Sequence, residues 1–243
     1  MAQKDIIYYS GRVMECTRVR ELTSDAPRAE RKEGNSTPKK NEQNLMLAFR
    51  RLARTLNANF TSSDFFATFT YVNEPGSWEE HEKDWVLFYR RLNYKLQKEG
   101  KPDAKWVVLH SNINGKTGEV IGRHTHGILC GDSFEFRDGM LFIGEESIVQ
   151  IWGHGLVRIR PLRGYPDFTA LARYLINQSR RDSHAQKYHT SRNLIRPQAE
   201  VEVVTDSDLP IPTNAEIVES CANETFGYKY RRVILPEYKE KSD

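Results

Sequence analysis

The residues Arg123-His124-Thr125-His126-Gly127-Ile128-Leu129-Cys130 place two histidines one residue apart at the start of an apolar run. Side chains alternate along an extended strand, so His124 and His126 project to one side and Thr125 to the other. Two imidazoles on one face suit a first-row divalent metal. The same spacing also occurs in half-buried sheets that hold no ion, so the pair gains meaning only from its neighbours.

Three neighbours are candidates. Trp106-Val107-Val108-Leu109-His110 reads as the hairpin partner of the histidine strand, and antiparallel pairing can bring His110 beside His124 or His126 as a third ligand. Three protein ligands leave coordination positions open for water or substrate, the arrangement of a catalytic site. On a helix, Tyr174, Asn177, Gln178 and Arg181 share one face at i, i+3, i+4 and i+7. A phenol has a pKa near 10 and needs activation to attack phosphorus, which a divalent ion on the phosphate supplies. Spacing alone leaves a packing role for Tyr174 open. Thr68 and Thr70 share a face of the Phe65–Val72 run and could bond a substrate or the ligands, or each other's neighbours in an ordinary sheet. Gly115-Lys116-Thr117 has the ending of a phosphate-binding loop, but His110 stands where the earlier glycine belongs, so triphosphate binding is not expected.

These residues need elements to position them. A short hairpin is expected over residues 5–9 and 12–16, then a linker rich in charge, Pro, Gly, Ser and Asn over 23–42. Leu45, Leu47, Ala48, Leu52, Ala53 and Leu56 recur at helical spacing. Phe65–Val72 is aromatic and β-branched and reads as a strand ending at Asn73-Glu74-Pro75-Gly76. Ser77 caps the next helix, with Glu80 at the capping-box position and Trp85, Phe88, Tyr89, Leu92 and Leu96 as its buried stripe. Further elements are a helical turn at 147–152, a strand at 156–162 with Arg158 and Arg160 on one face, and a helix at 167–181. Short strands at 201–204 and 232–235 follow. Hairpin-linked strands among helices predict an α+β fold on a central antiparallel sheet flanked by helices.

Composition sets the bounds. The 243 residues suit one large domain, or one with extensions; 38% are hydrophobic and 28% charged, as in a water-soluble globular protein. Lys and Arg exceed Asp and Glu by only three (36 against 33), so charge alone does not assign a nucleic-acid partner. The arginines are clustered, however, at 50, 51 and 54, at 90 and 91, at 158, 160 and 163, at 180 and 181, and at 231 and 232. Such clusters suit a phosphate backbone or solvated, acid-paired helix faces. Cys16, Cys130 and Cys221 lack CxxC spacing, which argues against a zinc ribbon or disulfide framework. The first residues carry no signal-peptide core and no run reaches membrane-spanning length, so a cytoplasmic location is expected.

The order of an aromatic-Thr strand (Phe66-Ala67-Thr68-Phe69-Thr70-Tyr71), an HxH strand (His124-Thr125-His126-Gly127-Ile128-Leu129) and a tyrosine helix (Tyr174-Leu175-Ile176-Asn177) resembles the three motifs of HUH endonucleases. It is similar in particular to the rolling-circle replication initiators of bacterial plasmids and phages. Asn41-Glu42-Gln43-Asn44 through Asn59-Phe60, Ile151-Trp152-Gly153-His154-Gly155 and Ser191-Arg192-Asn193-Leu194 extend the likeness over about residues 4–200. The resemblance implies a ferredoxin- or RRM-like core in which His124 and His126 hold Mg²⁺ or Mn²⁺. It implies that Tyr174 nicks single-stranded origin DNA, a hairpin among the options, leaving a 5′-phosphotyrosine and a free 3′-OH, and later rejoins the strand. His110 stands where relatives often have a carboxylate ligand. Asn177 stands where many carry Lys, with Gln178 or Arg181 as substitutes, and Tyr188 is the second-choice nucleophile. Arg123, Arg158, Arg160, Arg180, Arg181 and Arg192 are the candidate DNA contacts. With no helicase-like segment, a host helicase and polymerase are the expected partners. The resemblance divides the chain into residues 1–43 (hairpin and linker), 44–200 (endonuclease domain) and 201–243 (extension). Rival readings are a related transposase or relaxase, a non-catalytic DNA-binding autoregulator derived from an initiator, and a hydrolase of small phosphoesters.

Overall fold

The computed structural model describes residues 3–20, 38–179, 186–204, 208–223, 225 and 227–237. It is α+β with antiparallel sheets, and the chain divides into two units. One comprises residues 1–59 with 195–243, the other residues 60–194. The division differs from that expected. The helix of residues 44–56 belongs with the N-terminal hairpin, and the C-terminal residues complete that hairpin's sheet instead of forming an extension. Of the expected linker at 23–42, residues 23–37 lie outside the described residues, and residues 38–42 are helical.

In the first unit, β1 (Gln3–Ser10) and β2 (Val13–Arg20) form the hairpin, followed by α1 (Pro38–Asn59). β11 (Glu200–Val204), β12 (Glu216–Asn223) and β13 (Tyr228–Ile234) complete a sheet of order β11-β1-β2-β13-β12. Gly11 turns the hairpin with φ +59°, a left-handed value that favours glycine, and a side chain there would collide with the Asn57 carbonyl. One face packs Ile7, Met14, Cys16 and Val233 against Leu209. Beside them a buried, bidentate Arg18–Asp5 pair (Nε–Oδ1 2.6 Å, Nη2–Oδ2 2.7 Å) spans the two strands. On the other face Arg54 of α1 bonds Glu15 and lies over the Tyr8 ring.

The second unit holds the candidate site. Its elements are β3 (Phe65–Phe69), α2 (Trp78–Lys98), β4 (Trp106–Ile113), β5 (Val120–Leu129), β6 (Glu135–Arg137), β7 (Met140–Ile143), β8 (Glu146–Ser147), α3 (Ile148–Trp152), β9 (Val157–Pro161), α4 (Thr169–Gln178) and β10 (His189–Thr190). The main sheet has the order β10-β4-β5-β3-β9, all neighbours antiparallel, and β6-β7-β8 form a small separate sheet. β5 therefore sits centrally, between its hairpin partner β4 and β3.

Each strand of this sheet sends alternate residues to opposite faces. One face is the core: Ala67, Phe69, Trp106, Val108 and Val157 pack against Trp85, Phe88, Leu92 and Leu96 of α2 and Ile148, Ile151 and Trp152 of α3. α2 starts where the sequence predicts, with Ser77 Oγ accepting from Glu80 N at 3.1 Å. The Glu80 carboxylate accepts from Gly76 N instead of completing the reciprocal half of the box. Phe69 is the hub, with ring centroids 5.4 Å from Trp85, 5.1 Å from Phe88 and 5.4 Å from Trp152. Among the described residues, no helix is long and apolar enough to cross a membrane.

Phe69 lies on β3 one residue from Thr68, so the core under the site depends on it. Phe69→Ala should cost this unit about 3–5 kcal/mol, the usual range for emptying a fully packed aromatic position. Denaturant unfolding followed by tryptophan fluorescence measures it, since Trp85 and Trp152 report on this core.

Candidate functional site

The face of the main sheet opposite α2 carries the site. Residues directly opposite on antiparallel strands share a face. Arg158, Thr68 and His126 thus form one row across β9, β3 and β5, and Arg160, Phe66 and Ile128 the next. Ser111 stands opposite His124. α4 lies against β4 on this face, with its last residue tied down by Ser111 Oγ donating to the Gln178 carbonyl at 2.7 Å.

His124 and His126 point to the same side, as their spacing predicts, and are both buried. Their Nε2 atoms are 3.2 Å apart. The Gly122 carbonyl lies 2.9 Å from His124 Nδ1. A carbonyl only accepts, so Nδ1 carries the proton and a neutral His124 turns its Nε2 lone pair toward His126. His126 Nδ1 lies 3.3 Å from Thr68 Oγ1, and its Nε2 lies 3.1 Å from Gln178 Oε1. A hydroxyl both donates and accepts, so Thr68 can serve either tautomer of His126. Burial lowers the pKa of His124, with the Gly122 bond opposing. Burial, and next the repulsion from His124, lower that of His126 to about 4, with the Gln178 bond opposing. Both rings are therefore neutral near pH 7, the form that binds a metal.

Tyr174 lies on the same side. Its ring centroid is 6.3 Å from that of His126 and 6.5 Å from that of Phe66, and the residue is 45% exposed. Gln178, one turn later on α4, is 4% exposed and reaches His126 directly. Among the described residues its amide Nε2 has no hydrogen-bond partner. A buried, half-satisfied carboxamide set against the His126 imidazole needs an explanation, and a ligand site is one.

His110 does not join the pair. Its partner across the hairpin is Thr125, so it shares Thr125's face, the core side. There His110 Nδ1 is 2.8 Å from Thr125 Oγ1, and His81 Nε2 from α2 lies 3.0 Å from His110 Nδ1 and 2.9 Å from Thr125 Oγ1. The expected third ligand is thus corrected: the sheet's alternation puts His110 behind the strand. Among the described residues, no three His, Cys, Asp or Glu side chains are grouped to hold a metal. The donors that fit are His124 Nε2, His126 Nε2 and the carboxamide oxygen of Gln178. Two ligands on adjacent positions of an ion with bonds of about 2.1 Å are about 3 Å apart, which matches the His124–His126 spacing of 3.2 Å and the His126–Gln178 spacing of 3.1 Å.

The remaining candidates divide. Arg158 and Arg160 are exposed on the site's face at the edge strand β9. Arg123, expected to contact DNA, is instead bound to Glu74 (Nη1–Oε1 2.8 Å) and the Pro75 carbonyl, and lies over the Trp78 ring. Asn177 and Arg192 are exposed. Tyr188 immediately precedes β10, the strand outside β4. Arg180 and Arg181 lie outside the described residues. Thr70 bonds the Leu156 carbonyl at 3.1 Å and ties β3 to the segment before β9. The Gly115-Lys116-Thr117 stretch is the exposed turn between β4 and β5, closed by Gly118 N donating to the Asn114 carbonyl at 2.8 Å. Sequence reasoning missed the His81–His110–Thr125 cluster. His81 sits four residues before Trp85 and so on the same stripe of α2, which is the signal that it is buried. No family model, curated protein or solved structure matches the chain.

The lowered pKa of His126 has a consequence for stability. Between the ordinary value of 6.5 and about 4, the unfolded chain binds a proton that the folded pair does not. The stability contributed by the neutral pair is present above about pH 6.5 and lost as the pH falls toward about 4. Thermal unfolding of wild type and His126→Asn across this window should show the steeper acid loss in the wild type.

Proposed function

We propose that the second unit is a metal-dependent nicking and joining centre for single-stranded DNA, as in initiators of rolling-circle replication. What supports the reading is one juxtaposition. An exposed tyrosine and a buried HxH pair come from elements about fifty residues apart in sequence, and they share one open sheet face with two exposed arginines. His124, His126 and Gln178 would hold Mg²⁺ or Mn²⁺. When bound, the ion would neutralise charge on the scissile phosphate and polarise its P–O bonds.

The protein's own groups account for the rest. Tyr174 Oη attacks phosphorus and loses its proton to solvent, which its exposure permits. The bond between phosphorus and the 3′ oxygen breaks, and that oxygen leaves as a hydroxyl after taking a proton from solvent. One phosphodiester is exchanged for a phosphotyrosine, so the reverse attack by a 3′-OH rejoins the strand without a nucleotide cofactor. Arg158 and Arg160 contact phosphates beside the reacting one, in the salt-sensitive manner of such contacts. Phe66, between Arg160 and Ile128, forms part of the floor next to both Tyr174 and His126. Thr68 orients the His126 ring from behind.

One observation favours a protein that binds DNA without cutting it: the donor set holds two imidazoles and an amide but no carboxylate. A covalent-capture experiment separates the two readings. Purified protein with Mn²⁺ is mixed with a randomised single-stranded oligonucleotide pool, denatured, and analysed for attached DNA. The nicking reading predicts adducts on Tyr174 with a common sequence at their 5′ ends, absent from Tyr174→Phe and from His124→Ala with His126→Ala. DNA retained only before denaturation would support the binding reading. Thr68→Val should weaken Mn²⁺ binding by about tenfold, the lower range for losing a bond that orients a metal-ligating histidine.

A further inference from the structure

We infer that Gly115, in the β4–β5 turn, is a positioning residue for the third donor of the site. The inference rests on the reading of Gln178 as that donor. A β-carbon at position 115 would lie 2.7 Å from Gln178 Cδ, 2.8 Å from Oε1 and 3.0 Å from Nε2. The contact is with the carboxamide itself, not with the helix backbone. The φ of Gly115 lies outside the left-handed range, so an alanine meets no backbone penalty there. What an alanine lacks is space, and the space is filled by the group that faces His126.

Gln178 is otherwise fixed at its root. Ser111 Oγ donates to its carbonyl, and the helix ends there with Ser179 N donating to the Ile176 carbonyl at 3.1 Å. The carboxamide therefore lies between the His126 ring, at 3.1 Å, and the space that a β-carbon at 115 would take. A methyl at 115 drives the oxygen away from its bond to His126, because the root of the side chain cannot retreat. The turn is exposed, so the same methyl takes nothing from the core. In this way a surface turn with no ligand of its own sets whether the oxygen donor reaches the histidines. The Gly-Lys-Thr stretch owes its glycine to Gln178 and not to a phosphate.

The test compares wild type, Gly115→Ala, Gln178→Ala and the double variant in three measurements. In the metal-free proteins, the imidazole ¹⁵N shifts of His126 in Gly115→Ala should move toward those of Gln178→Ala. Mn²⁺ affinity, read by electron paramagnetic resonance of the free ion, should fall about tenfold in both single variants and no further in the double variant. The thermal midpoint of Gly115→Ala should fall no further than that of Gln178→Ala, which loses the same bond. Unchanged His126 shifts in Gly115→Ala, or losses of affinity that add in the double variant, would overturn the inference. If wild type binds Mn²⁺ and the variants behave as stated but no DNA adduct forms, positioning by Gly115 stands and the nicking reading fails. If Gln178→Ala leaves Mn²⁺ affinity intact, the third-donor reading and the inference fall together.

Discussion

The second unit depends on the two-residue alternation of β5 at the centre of its sheet. Between His124 and His126 stands Thr125, whose side chain enters the core to meet His81 and His110. One strand thus carries a polar contact behind and an imidazole pair in front. A shift of register by a single residue would exchange the two faces. The ladders to β4 and β3 oppose such a slip, because Ala67 and Phe69 must face α2 while Thr68 must face His126. The hydrophobic core and the site are set by the same constraint.

That constraint also explains the electrostatic state of the pair. Two imidazoles with Nε2 atoms 3.2 Å apart and little exposure to water cannot both take up a second proton and become cations cheaply. Remaining neutral costs them little near pH 7 and leaves His126 free to shift its proton to the Thr68 side when an ion takes Nε2. Gln178 adds an oxygen without adding charge. A set of two nitrogens and one neutral oxygen attracts a divalent ion less strongly than one that includes a carboxylate. Imidazole donors favour later first-row ions over Mg²⁺. The proposed substrate compensates, since a phosphate brings its own negative charge to the ion.

Much of this was legible in the sequence. The HxH spacing fixed a shared face, the stripe of α2 gave its buried side, and helical spacing put Tyr174 and Gln178 on one face of their helix, while only the motif order suggested that this face meets the histidines. His110 was misplaced for a physical reason. A hairpin with a long polar turn does not declare its register, and opposite pairing with Thr125 sends His110 to the core, whereas pairing with His124 or His126 would have brought it to the front. Arg123 was misread because its partner Glu74 lies 49 residues away. The assembly of the first unit's sheet from both chain ends was likewise hidden, since β1 pairs with β11 across nearly 200 residues, and local patterns carry no trace of such pairing.

His124, His126 and Gln178 are proposed to share one divalent ion beside Tyr174. Crystals grown with Mn²⁺ and measured near the manganese absorption edge test it directly. One anomalous peak is expected within bonding distance of both Nε2 atoms and of Gln178 Oε1. A peak bound elsewhere in this unit, or none at saturating Mn²⁺ with the two Nε2 atoms still 3.2 Å apart, would contradict it.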